Sequence, residues 1–179
     1  MFIQLLPIFI ASLTTFVTIH LLRPFAISID LVDAPSDRKL HSGSIPLIGG
    51  IAMFFAIVIS ILVSPLDLNE FNYFLLASLI LIVIGVLDDH SNISVSPRLF
   101  FQVLVALIIV TLGAINITSF GSLFGNGEIL LNDWSNFISV IAIIAGINAV
   151  NMADGIHGLA GGNSLITFSA ILFLSIGSI

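Results

Sequence analysis

The chain has 179 residues, 58% of them hydrophobic and only 8% charged, with a formal net charge of −6 and a mean hydropathy of +1.24. A soluble domain carries about 25% charged residues, so the composition excludes an ordinary soluble enzyme and describes an integral membrane protein. Four Lys and Arg residues leave no basic patch for nucleic acid, and the absence of Cys excludes disulfides and thiolate metal sites.

A spanning helix needs about 20 mostly apolar residues. Six segments qualify, at approximately 2–22, 47–65, 71–87, 99–117, 135–152 and 162–179. The expected fold class is therefore all-α, a polytopic membrane helix bundle forming one transmembrane domain over 1–179. The first segment lacks a basic leader and a small-residue cleavage site, so it reads as a membrane helix and not as a signal peptide. The interval after it, DLVDAPSDRKLHSGSIPLIGG, concentrates Arg38, Lys39 and His41, with Pro46 and Gly49-Gly50 marking the turn into the second span. Asp67 and Glu70 mark the next interval. The third span ends in Asp88-Asp89, and Arg98 follows Pro97 at the start of the fourth. Glu128 and Asp133 precede the fifth span, where Trp134 suits an interfacial belt.

All four Lys and Arg fall in the first and third intervals: Arg23, Arg38, Lys39 and Arg98. The positive-inside rule makes that side cytoplasmic and puts the N-terminus outside. Asp88, Asp89, Asp154 and His157 are then gathered at the cytoplasmic face, where soluble nucleotides are found.

Adjacent carboxylates at a helix end suit a hard divalent cation, since Mg²⁺ favours one or two carboxylates together with substrate phosphate oxygens. The plainer reading is a helix simply entering water, yet acidic groups are unfavourable at a helix C-terminus. Asn148, Asn151, Asp154 and His157 recur every three residues. On a helix they form a slanted polar ridge that can line a cavity, bind metal through Asp154, or hydrogen-bond a base or sugar through the amides. One such residue fits ordinary interhelical hydrogen bonding; four in register fit it poorly. Arg38, Lys39 and His41 suit phosphate or an ordinary loop obeying positive-inside. Arg98 suits an anionic lipid head or an interfacial anchor.

Taken in order, LVDAPSDRKLHSGSIPLIGGIAMF, IGVLDDHSNISVSPRLFFQ and INAVNMADGIHGLAGG resemble the polyprenyl-phosphate N-acetylhexosamine-1-phosphate transferases of bacterial envelopes, glycosyltransferase family 4. The RKLHSGSIPLIGG block and the DDHSNISV run are most similar to its undecaprenyl-phosphate N-acetylglucosaminyl branch. The resemblance covers nearly the whole chain, and the order and spacing of its blocks make it specific.

The resemblance implies a reaction at the cytoplasmic face of the bacterial inner membrane. Undecaprenyl phosphate attacks the β-phosphate of a UDP-N-acetylhexosamine, giving a polyprenyl-diphosphate sugar and UMP, with Mg²⁺ or Mn²⁺ as cofactor. Such a step feeds envelope polysaccharides of the O-antigen or teichoic acid kind. The resemblance makes Asp88, Asp89 and Asp154 the catalytic and metal-binding residues. Lys39, His41, Asn148, Asn151, His157 and Arg98 are expected to bind substrate.

Two departures matter. The family block reads DGxDG and this chain reads DGIHG, so His157 replaces an aspartate. Family members have roughly ten or eleven spans, their second half bringing a further aspartate loop and a histidine-rich loop. The expectation is therefore of a chain inactive alone: a fragment, a truncated product, or half of a split enzyme completed by a C-terminal half or by a homodimer. The competing functions are an inactive interaction subunit and a small cation transporter using Asp88, Asp89 and Asp154. The transporter is disfavoured because a conduction path needs polar groups deeper toward the outer side.

Overall fold

The computed structural model describes residues 2–33, 45–65, 67–123, 125, 127–154 and 158–177. It is an all-α polytopic membrane bundle whose described residues divide into two compact units, 1–115 and 116–179. Four of its helical segments, Leu6–Ser28, Asn72–Ser91, Val95–Leu112 and Asn132–Asp154, are long and apolar enough to cross a membrane. Two apolar helices are shorter.

In the first unit, α1 covers Phe2–Ser28 and contains Pro7 and Pro24. Proline has no N–H, so Pro24 leaves the carbonyl of His20 without its helical donor. The helix ends because Asp30 turns left-handed, at φ 58°. The Leu31 amide then donates to the Ala26 carbonyl at 2.9 Å, closing the C-terminus as in a Schellman motif. Strands β1 (Val32–Asp33) and β2 (Ile45–Pro46) pair antiparallel, Val32 opposite Pro46. Helix α2 (Gly49–Val63) lies along α1, and Ser60 Oγ donates to the Pro7 carbonyl at 2.8 Å. Its 15 residues rise only about 22 Å, short of a hydrocarbon core of about 30 Å.

Ala26, Leu31 and Ile48 form a buried cluster on which Leu22, Leu47, Ile51 and Val86 pack. The end of α1, the two strands, the start of α2 and the last turns of α3 (Asn72–Ser91) thus share one apolar anchor. Helix α4 covers Val95–Leu107 and runs on into a π-helical turn, Ile108–Leu112. Gly113 closes that turn: a Cβ there would meet the Ile109 carbonyl oxygen at 2.7 Å.

The second unit opens with a loop tied back on itself by a bridge between Ser119 and Leu130. A 3₁₀ turn, Asn132–Trp134, leads into α5 (Ser135–Asp154). Two serines bind the loop to α5. Ser139 Oγ accepts from the Ile117 amide, and Ser135 Oγ donates to the Ile117 carbonyl, both at 2.7 Å. The Trp134 ring meets Phe137 edge-on at 5.9 Å. Helix α6 (Leu159–Gly177) packs on α5.

Helix ends and apolar runs differ instructively. Helix α3 continues to Ser91, so Asp88 and Asp89 lie inside its last turn and not beyond residue 87. Helix α4 starts at Val95, four residues before its apolar run, and takes Arg98 into its first turn. An apolar run marks where lipid begins, whereas backbone hydrogen bonding extends past it. Pro97 is compatible with this start because a first-turn N–H has no helical acceptor to lose.

Candidate functional site

The sequence-derived candidates fall in both units. In the first, α3 brings Asp88 and Asp89 to its C-terminus, where Asn92 turns left-handed at φ 47°. Asparagine tolerates that conformation better than most residues. The Asn92 amide donates to the Asp88 carbonyl at 2.7 Å, and two residues later the chain enters α4. The turn is tight enough for Arg98 Nη1 to donate to Asp88 Oδ2 at 2.8 Å. The pair is partly buried, with side-chain exposures of 34% for Arg98 and 23% for Asp88. Asp89 is partnered as well.

The helix dipoles oppose both placements. A carboxylate belongs at a helix N-terminus and a guanidinium at a C-terminus, each worth about 0.3–1 kcal/mol when exposed. Here Asp88 closes α3 and Arg98 opens α4. Exchanging the two residues would keep an ion pair and satisfy both dipoles. Helix stability therefore does not account for a carboxylate at position 88.

Lys39, His41 and Arg38 lie outside the described residues. The strands that flank them, β1 and β2, adjoin the cluster of Leu31 and Ile48 on which Val86 packs, two residues before Asp88.

In the second unit, Asn148, Asn151 and Asp154 all stand on α5, at the three-residue spacing that makes a slanted ridge. Asn148 Nδ2 donates to the Ile144 carbonyl of its own helix at 2.8 Å, so this amide is partly committed locally. Asn151 and Asp154 are exposed. His157 lies outside the described residues. Beside the ridge, α5 and α6 flank an open cleft of about 430 Å³ lined in part by Ala149, Ala153, Asn163, Ser164, Thr167 and Phe168. Sequence reasoning passed over Asn163, Ser164 and Thr167. Their signal was polar residues at helical spacing facing small alanines four apart. A second cleft, of about 580 Å³, lies at the opposite end of α5 among Asn116, Thr118, Asn132, Asp133 and Asn136.

Within either unit, the described residues hold no group of three or more His, Asp or Glu side chains in metal-binding arrangement. The donor chemistry at the end of α3 nonetheless suits a hard cation. Asp88 and Asp89 offer only oxygen, and Asp88 Oδ1 takes no hydrogen bond from a described residue. Two carboxylates are a sufficient protein contribution for Mg²⁺, which keeps water and substrate oxygens as its other ligands.

Fold and site together define a multi-pass membrane protein that gathers acidic and amide groups at helix ends. The sequence model described as glycosyl transferase family 4 matches residues 71–178, from Phe71 just before α3 through α6, and the chain belongs to that family. It is similar to the undecaprenyl-phosphate alpha-N-acetylglucosaminyl 1-phosphate transferase of Yersinia pestis, 39% identical over 149 residues, 83% of this chain and 41% of that protein. The enzyme of the same name from Escherichia coli K12 is 37% identical over 162 residues, covering 89% and 44%. That of Haemophilus influenzae Rd is 40% identical over 167 residues, covering 93% and 47%. The chain thus spans less than half the length of these curated relatives. No solved structure gives a significant match.

Proposed function

We propose that a family-length protein containing this chain transfers N-acetylglucosamine 1-phosphate from a UDP-sugar to undecaprenyl phosphate. The observation that carries the reading is the Asp88 carboxylate, held at a helix end against both dipoles by Arg98, inside the family-matched region. An oxygen of the lipid phosphate attacks the β-phosphorus of the nucleotide sugar. The bond from that phosphorus to the bridging oxygen breaks, and UMP leaves with the electron pair.

Phosphoryl transfer of this kind rests on positioning and charge neutralisation more than on covalent help from the protein. Asp88 and Asp89 would hold Mg²⁺ or Mn²⁺, which supplies positive charge to the diphosphate. Lys39 and His41 bring further positive charge or donors to phosphate oxygens. Asn151 and Asn148 offer amides to the base or sugar, and Asp154 adds a carboxylate acceptor. Undecaprenyl phosphate requires a site in contact with lipid, and the exposed apolar residues of α3, Leu76, Leu79, Val83 and Leu87, offer such a surrounding beside Asp88. The bias of Lys and Arg toward one side supports a cytoplasmic active face in the bacterial inner membrane. The product enters envelope polysaccharide synthesis.

The test is transfer of labelled N-acetylglucosamine 1-phosphate to undecaprenyl phosphate by the family-length form, with Mg²⁺ and then Mn²⁺. Asp88→Asn and Asp89→Asn should each remove most turnover while leaving the amount of protein in the membrane unchanged. The amide keeps the size and deletes the charge. Absent transfer by the unmodified protein overturns the reading, and full turnover in both variants reduces the acidic pair to an ordinary helix end.

A further inference from the structure

We propose that Arg98 is a positioning residue for Asp88: it fixes Oδ2 so that Oδ1 is presented to the reacting phosphates or their cation. The inference rests on the transferase reading and assigns Arg98 a role different from binding a lipid headgroup or anchoring the membrane interface.

Three independent constraints converge on one residue. Val86, two positions earlier, packs on the cluster of Ala26, Leu31 and Ile48 and fixes the end of α3 from behind. The Asn92 amide takes the Asp88 carbonyl at 2.7 Å and fixes its backbone. Arg98 Nη1 takes Oδ2 at 2.8 Å and fixes its side chain. A lone ion pair near a surface contributes little to stability, and here both partners sit at the ends their dipoles disfavour. What the arrangement does secure is a single rotamer for Asp88 with one oxygen left over. Among the described residues nothing hydrogen-bonds Oδ1.

The geometry also argues against the anchoring alternatives. An arginine that anchors a helix extends its guanidinium toward headgroups. Arg98 instead turns back across the α3–α4 turn, and its side chain is 34% exposed. One that binds substrate phosphate keeps its donor fork for the ligand, whereas Nη1 is already used by Asp88.

The experiment uses the family-length protein in native-lipid membranes. Arg98→Gln removes the charge and the fork; Arg98→Lys keeps the charge but offers a point donor on a flexible stem. Misplacing a reacting group by about 1 Å costs on the order of a hundredfold in rate. Arg98→Gln should therefore lower kcat by roughly tenfold to a hundredfold. KM for the UDP-sugar and for undecaprenyl phosphate should change by less than about threefold, because neither substrate loses a contact. Arg98→Lys should recover part of the lost kcat. A raised KM for either substrate with kcat near the unmodified value would overturn the proposal in favour of substrate or lipid binding.

Thermal unfolding provides a readout that needs no turnover. The dipoles favour losing either charge, so the pairing is read from the coupling: the Tm change of the Arg98→Gln, Asp88→Asn double variant should be clearly less negative than the sum of the two single changes. Additive changes overturn the pairing whatever the transfer assay shows. An unmodified protein that transfers nothing but shows coupled Tm changes overturns the transferase reading, and Arg98's part in it, while the ion pair stands.

Discussion

The backbone amide of Asn92 donates to the carbonyl of Asp88 at 2.7 Å, and it does so from a left-handed conformation, φ 47°. That single turn reverses the chain between α3 and α4 and sets the distance over which Arg98 reaches Asp88. Asn92→Gly should therefore be tolerated, with little loss of Tm or transfer, because glycine adopts positive φ without steric cost. Asn92→Val should lower Tm and reduce transfer together, since a β-branched residue is strained there. Equal behaviour of the two variants would show that the left-handed turn does not govern the site.

The sidedness of the helix ends is open to direct chemical labelling. The chain has no Cys, so single cysteines can be introduced without background. Cysteines at Ser42 and Ser91 should react only with reagent on the cytoplasmic side, and one at Asn126 only with reagent outside, because every Lys and Arg falls in the first and third intervals between spans. Labelling of position 42 from outside would reverse the orientation and remove the UDP-sugar, a cytoplasmic compound, from reach.

How much of this was legible beforehand depends on the kind of information each feature needs. Each of the six apolar runs lies largely on helix, the fourth passing from α4 into the π-helical turn before it leaves the helix at Gly113, because a run of apolar residues must satisfy its backbone internally in lipid. The helix limits near the site were not legible from hydropathy. Asp88 and Asp89 belong to α3 and Arg98 to α4 through hydrogen bonds that hydropathy does not report. The acidic pair and the polar ridge of α5 stood out as costly groups in an apolar chain. The partner of Arg98 did not, because the two charges are ten residues apart and meet only through the left-handed Asn92. Asn148 shows the converse. Its spacing marked it as a ridge residue, yet its amide back-bonds to Ile144, an ordinary option for a polar side chain within a helix.

Two serine hydrogen bonds of similar length should differ in worth. Ser139 is 2% exposed, and its Oγ is the acceptor for the Ile117 amide at 2.7 Å. Removing it in Ser139→Ala strands a donor, which costs about 1–3 kcal/mol when the group is shielded from water. Ser60 Oγ instead donates to the Pro7 carbonyl, an oxygen inside α1 with a second lone pair for its helical donor. Ser60→Ala should cost about 0.5–1.5 kcal/mol at most. Thermal unfolding of both variants in one detergent should show the larger Tm loss for Ser139→Ala. The reverse order would mean that the loop from Asn116 to Leu131 does not depend on its serine ties to α5.

His157 stands where the resembling family block carries an aspartate, three residues beyond Asp154. A neutral imidazole offers nitrogen where an aspartate offers two anionic oxygens, and hard cations such as Mg²⁺ take oxygen. Phosphoryl transfer depends on charge neutralisation by such a cation, and the family resemblance makes Asp154 one of its ligands, so a carboxylate added three residues beyond Asp154 should help to hold it. We therefore expect His157→Asp, made in the family-length form, to raise transfer severalfold in Mg²⁺. Mn²⁺ accepts imidazole more readily than Mg²⁺ does, so the gain should be smaller in Mn²⁺. The measurement is initial transfer rate at matched protein levels under each ion. A fall in rate under both ions would show that the site is built around the imidazole, with His157 serving as a hydrogen-bonding group for substrate that aspartate does not replace.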